Sequence, residues 1–191
     1  LSGGLDSSLI CALVNRFYKD TDTVLETYSI GLEGSEDLKY ARKVAKHIKS
    51  KHTEIIVKEE DFLDAIPEVI NVIESYDTTT VRASVGNYLV SKYIAAHSDA
   101  KVIFNGDGSD EVCGGYMYFH KAPTPTHMDH ECRRLLKDIC YFDVLRSDRS
   151  ISSNGLEART PFLDRTFVDN YFSIIPDLRC VVKHNYMEKW L

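Results

Sequence analysis

A chain of 191 residues, 43% hydrophobic and 27% charged, can bury the core of one ordinary globular domain with at most a small appendage. Its net charge of −6 argues against a surface built for nucleic acid or an anionic membrane, since both need a basic patch, although a local basic groove stays open. The sequence has neither an apolar run of about 18 residues nor a basic-then-apolar leader, so the expectation is a cytoplasmic protein with no membrane partner.

In chain order, Leu9, Ile10, Leu13, Val14 and Phe17 recur at helical spacing after Ser7 or Ser8, and VLETYSIGL at 24–32 reads as a strand. Leu38, Ala41, Val44, Ala45 and Ile48 mark a second helix, followed by a short strand at 53–57. A third helical stripe runs Phe62, Leu63, Ile66, Val69, Ile70, Ile73, and a fourth runs Val85, Leu89, Val90, Tyr93, Ile94, before a strand at 101–106. Strands separated by helices of this length predict an α/β fold, a doubly wound parallel sheet with helices on both faces and ligands at the carboxyl ends of its strands.

From about residue 117 the pattern is helical. Met128, Cys132, Leu135, Leu136, Ile139 and Phe142 form one stripe and Phe167, Val168, Tyr171 and Phe172 another, with a polar, turn-rich segment at 146–164 between them. APTPT at 122–126 reads as a loop. The five cysteines are odd in number, lack C-x-x-C spacing and sit in apolar segments, as reduced core thiols do. The chain opens on a glycine loop that needs a strand before it and closes on EKWL inside a helical pattern, so both ends read as truncated.

That opening stretch, LSGGLDSS at 1–8, holds the first chemical signal. A Ser-Gly-Gly turn entering a helix presents backbone N–H groups to an anion such as a phosphate. The lysine of a G-x-x-x-x-G-K-[ST] loop is missing, and Asp6 stands in the site. A carboxylate would repel phosphate unless a cation lies between, which Mg²⁺ would explain. The competing reading is a plain Gly-Gly turn with Asp6 or Ser7 as helix cap. A second loop, NGDGSDE at 105–111, gathers Asp107, Asp110 and Glu111 at a strand's carboxyl end. Three close carboxylates want a cation or a proton. A solvated acidic turn is the alternative, but two acidic glycine loops at strand ends favour a shared magnesium–nucleotide site.

Five further segments, in register, carry a family resemblance: SIGLEGSEDL at 29–38, SYDTTTVRAS at 75–84, NGDGSDEVCGGYMYFHKAP at 105–123, LRSDRSISSNGLEARTPFLD at 145–164 and MEKWL at 187–191. With the opening loop, they resemble the synthetase domain of the glutamine-dependent asparagine synthetases, within the N-type ATP pyrophosphatases. The resemblance runs the length of the chain and implies one domain over 1–191, an adenine nucleotide alpha hydrolase-like fold with a helical C-terminal part. It also implies attack of an aspartate carboxylate on the α-phosphate of Mg-ATP, release of pyrophosphate, and reaction of the resulting β-aspartyl-AMP with ammonia to give asparagine.

By register, Ser2, Gly3, Gly4, Asp6, Ser7 and Ser8 would hold the pyrophosphate portion of ATP, and Leu1, Ile30, Asn105 and Gly106 would contact adenosine largely through backbone. Asp6 and Asp110 would share Mg²⁺. Thr79, Thr80, Arg82 and Gly108 would face the substrate, Lys189 would reach the pyrophosphate, and Asp107 would handle the proton when ammonia attacks. Arg82 and Lys189 taken alone read as surface cations, and the threonines as helix caps. The family's usual Ser-Gly-Glu is Asn105-Gly106-Asp107 here, one methylene shorter at the proton-handling residue. The resemblance further implies ammonia supplied from glutamine by a glutaminase domain absent from these residues, with a homodimer as one assembly open to it. A β-lactam synthetase-like enzyme adenylating another carboxylate, and a non-catalytic nucleotide-binding remnant, are the alternatives. Arg159 and Asp164 read as a pair, and the zinc-like spacing of His127, His130 and Cys132 lacks a fourth ligand.

Overall fold

The computed structural model describes residues 1–181 and 189. They divide into two compact units, one formed by residues 1–105 and 146–159 and the other by 106–145, 160–181 and 189. The first unit begins with α1 (Leu5–Tyr18), β1 (Glu26–Leu32), α2 (Glu36–Ile48) and β2 (Lys51–Val57). The two strands pair in parallel from Glu26↔Lys51 to Leu32↔Val57, with α2 as the crossover. Leu38, Ala41, Ala45 and Ile48 form the buried stripe of α2. Successive β1 side chains point to opposite faces: Gly31 lies under Leu38 of α2, and Tyr28 packs with Val90 and Ile94 of α5 (Thr78–His97). Helices thus cover β1 on both sides.

The third predicted helix is two, α3 (Glu59–Asp64) and α4 (Ile66–Ile73), because Pro67 stands in the first turn of α4. Proline has no N–H for a preceding turn but suits the start of a new one. Ala65, Val69, Ile73, Val81, Val85 and Tyr88 then form the α4–α5 core. A short strand, β3 (Val102–Phe104), follows.

Two expectations are modified here. The described residues are α/β, but their strands pair as two two-stranded parallel sheets, β1–β2 and β3 with β4 (Glu157–Arg159), with no strand pairing between the two among the described residues. The segment at 146–164 is also more ordered than its polarity suggested, since it contains β4 and most of α8 (Asp143–Ser152). Ser147 and Ser150 of α8 are buried, and the Ser150 hydroxyl donates to Arg146 O at 2.6 Å. Serine that satisfies itself inside its own helix reads as solvent-facing in a hydrophobicity pattern. Three-residue β4 is too short to show alternation, and only Ala158 of it joins the cluster of Ile94, Ile103, Ile151 and Leu156.

The second unit holds α6 (Ser109–Cys113), α7 (Pro125–Asp138), α9 (Arg165–Ser173) and α10 (Pro176–Arg179). APTPT ends inside a helix: the Thr124 side chain accepts from His127 N and Pro125 opens α7. Phe119, Met128, Cys132, Leu135, Cys180 and Val181 form its core, and the buried Arg179 guanidinium is bonded to Asp129. All five cysteines are free thiols. The helix read at the closing MEKWL lies outside the described residues, apart from the position of Lys189. No helix among the described residues is long and apolar enough to cross a membrane.

Candidate functional site

In the first unit, the glycine loop is shaped by what stands behind it. Gly3 has φ +84, and a Cβ there would lie 2.5 Å from both Tyr40 Cβ and Ala41 N of α2, so only glycine lets the loop lie this close. Ser2 and Ser7 close the loop from inside: their hydroxyls are 3.0 Å apart, Ser2 N donates to Ser7 Oγ at 3.2 Å, and Gly4 N donates to Ser2 Oγ at 3.3 Å. Gly4 is the N-cap of the 14-residue α1 and offers no capping side chain. The positive end of the helix dipole therefore faces the loop without a blocking hydroxyl or carboxylate from the cap. Asp6 sits in that first turn, and the buried Ser8 hydroxyl has no hydrogen-bond partner among the described residues.

The remaining first-unit residues lie at strand and helix ends. The Leu1 amine donates to Tyr28 O at 2.7 Å, placing the loop beside β1, on which Ile30 stands opposite Ile55. Asn105 N donates to Arg159 O at 3.0 Å, and its side-chain amide donates to Ser147 Oγ at 2.7 Å. Asp77, not a threonine, caps α5: it accepts from both Thr80 N and Thr80 Oγ1 at 2.7 Å. Thr80 is buried, while Thr79 and Arg82 are exposed.

The acidic loop from Gly106 onward lies in the second unit, and two of its three carboxylates, Asp110 and Glu111, have different partners. Gly106 O accepts from Ser109 N at 3.4 Å, Asp107 is half-buried, and Gly108, the N-cap of α6, abuts Leu163. Asp110 takes the cation: Lys189 Nζ lies 2.5 Å from its Oδ1. Burial pushes Glu111 toward its neutral form. It is 1% exposed, accepts a short hydrogen bond from the Tyr116 hydroxyl and shares another with buried Asp143. Burial, with the neighbouring Asp143 carboxylate, raises Glu111 to about 7, against the opposing hydrogen bond of Tyr116. Tyr116, Asp143 and Ser147 were not singled out from sequence. An aromatic hydroxyl just after Gly-Gly was the one local sign of a partner for a buried acid.

Carboxylate oxygens are the donors Mg²⁺ prefers, and it is commonly held by one or two of them plus substrate phosphates. Asp6, beside a helix N-terminus, and Asp110, with its side chain 38% exposed, fit that donor chemistry. No group of three or more His, Cys, Asp or Glu placed to hold a metal occurs among the described residues. His127 and His130 are exposed on α7 while Cys132 is buried, its thiol pushed up to about 12 by that burial. Arg159 binds Glu157 at 2.6 Å, and Asp164 caps α9 through Phe167 N.

A protein-family model described as Asparagine synthase matches residues 1–127 and 121–191, the whole length of the chain. The chain belongs to the asparagine synthase family. It is 51% identical over 193 aligned positions to the asparagine synthetase [glutamine-hydrolyzing] of Gallus gallus, covering 100% of this chain and 34% of that protein. The proteins of the same name from Mus musculus and Homo sapiens are 51% and 50% identical, with the same coverage. The chain thus spans about a third of the length of these relatives.

Proposed function

We propose that this chain is the ATP-using synthetase part of an enzyme that amidates aspartate to asparagine through a β-aspartyl-AMP intermediate, with ammonia drawn from glutamine by a glutaminase region outside these residues. The observation that carries the reading is the uncapped N-terminus of α1 behind the Ser2–Ser7 loop, a cradle for phosphate oxygens in a member of this family. Within that reading the two sheets are parts of one doubly wound sheet, and Asp6 and Asp110 would be carboxylate ligands for Mg²⁺, which when bound would supply charge stabilisation to a pyrophosphate leaving group. The loop amides orient the phosphates. Leu1, Ile30, Asn105 and Gly106 border adenosine; Thr79, Thr80, Arg82 and Gly108 border aspartate; Asp107 accepts a proton as ammonia adds; Lys189 meets the pyrophosphate.

The test is carboxylate-dependent exchange of pyrophosphate into ATP by the full-length protein. Aspartate should support exchange and Asp6→Asn should reduce it at least ~10²-fold, the effect of losing several kcal/mol of metal-mediated stabilisation, with the fold unchanged by circular dichroism. Exchange supported by a different acid would identify another substrate, and ATP binding without any exchange would identify a non-catalytic module.

A further inference from the structure

The sequence reads Asp110 as a metal ligand and Lys189 as a separate phosphate-binding cation, yet the structure joins them. Lys189 Nζ donates to Asp110 Oδ1 at 2.5 Å and to Ser109 Oγ at 3.2 Å. Its side chain is 0% exposed, whereas that of Asp110 is 38% exposed. The lysine comes from the buried side and the carboxylate keeps an open side toward solvent.

The chain is shaped around this contact. Gly115 N donates to Asp110 O at 3.0 Å, folding the end of α6 back on its start, and a Cβ on Gly115 would collide first with Asp110 Oδ1 and then lie 2.6 Å from Lys189 Cε and 2.8 Å from its Nζ. The second glycine of Gly114-Gly115 therefore leaves the space in which the Asp110 carboxylate and the Lys189 ammonium meet. Ser109, 1% exposed, lines the other side.

Two cations directed at one carboxylate weaken each other, by Coulomb repulsion and because each draws charge from the same oxygens. Such competition is reciprocal: whatever factor the lysine takes from metal affinity, the metal takes from the lysine's hold on Asp110. We infer that Lys189 and the divalent cation compete for Asp110, the lysine neutralising the carboxylate until metal arrives and then being freed to meet the anionic leaving group. This rests on the proposed assignment of Asp110 to the metal. It makes Ser109 and Gly115 positioning residues for Lys189, and it makes metal binding the event that releases the lysine.

The experiment uses metal alone, without nucleotide, on the full-length protein. Mn²⁺ affinity is measured by electron paramagnetic resonance for wild type, Lys189→Met and Asp110→Asn, and amine acylation of wild-type Lys189 is followed by mass spectrometry as Mg²⁺ is added. Lys189→Met should bind Mn²⁺ about 10-fold more tightly, within the usual range of coupling between two sites, and Mg²⁺ should raise acylation of Lys189. Unchanged or weaker Mn²⁺ binding in Lys189→Met, or acylation indifferent to Mg²⁺, overturns the competition. Asp110→Asn separates the two levels of the argument: normal Mn²⁺ binding in that variant removes Asp110 from the metal site, while lost binding there with no effect of Lys189→Met removes only the competition. The wild-type acylation arm does not depend on any variant folding.

Discussion

Around Gly3 the chain is held by backbone and neutral hydroxyls: the loop rests on Tyr40 and Ala41, Ser2 and Ser7 tie it from inside, and Gly4 at the start of α1 brings no capping side chain. Around Asp110 the chain is held by ionisable side chains: Asp110 is neutralised by a lysine, and Glu111 is bonded to a tyrosine and a second acid beneath it. Both loops are glycine-rich and both carry an aspartate, so they look alike as sequence. The first can be disturbed mainly by shape and the second mainly by charge. An anion can bind at a helix end with little rearrangement, whereas a cation bound at Asp110 must first contend with one already there.

The largest effect should come from shape. Gly3→Ala forces a Cβ against the backbone of α2 at a φ unfavourable for alanine; strain and overpacking together should cost about 4 kcal/mol of stability, read as a lower denaturant midpoint. A stable Gly3→Ala protein would mean that the loop does not lie against α2.

Next, Asp107 tests whether a shortened side chain matters in the charged loop. If Asp107 takes the proton as proposed, Asp107→Glu in the full-length protein should raise asparagine formation by up to about 10²-fold, because a misplacement near 1 Å at such a group has that order of effect. Aspartate-dependent pyrophosphate exchange should rise less. A fall in asparagine formation would show that the loop is fitted to aspartate.

Glu111 sharpens the comparison through pH. Its folded value, raised to about 7 chiefly by burial, lies above its ordinary 4.5, so between those limits the folded state holds more protons than the unfolded one. Stability from this source is complete below pH 4.5 and is lost as pH rises toward and through 7. Glu111→Gln keeps the side chain neutral and should remove that decline, seen as a difference in melting temperature between pH 5 and pH 8 that shrinks relative to wild type. An equal decline in both proteins would exclude Glu111 as its source.

The smallest effect belongs to Ser2→Ala. The exposed hydroxyl pair should contribute about 1 kcal/mol, visible as a small shift in midpoint. A loss as large as that of Gly3→Ala would mean that hydroxyls and not the α2 contact shape the loop.

The helices α1, α2 and α5, both strands of the βαβ unit and the two glycine loops were legible in residue order, because apolar periodicity and turn chemistry are local properties. The division of 62–73 at Pro67 was legible too, had the proline been weighed against the stripe around it. By contrast, β4 pairs with a strand more than fifty positions away and has too few residues to carry a pattern. Buried Ser147 and Ser150 gave α8 a polar face that only its packing reverses. The need of three close carboxylates for a cation or a proton was a matter of charge and could be read from NGDGSDE alone. Tyr116 stands only five residues from Glu111, but Lys189 and Asp143 reach Asp110 and Glu111 from distant positions, and long-range contacts of that kind exist only once the backbone has folded.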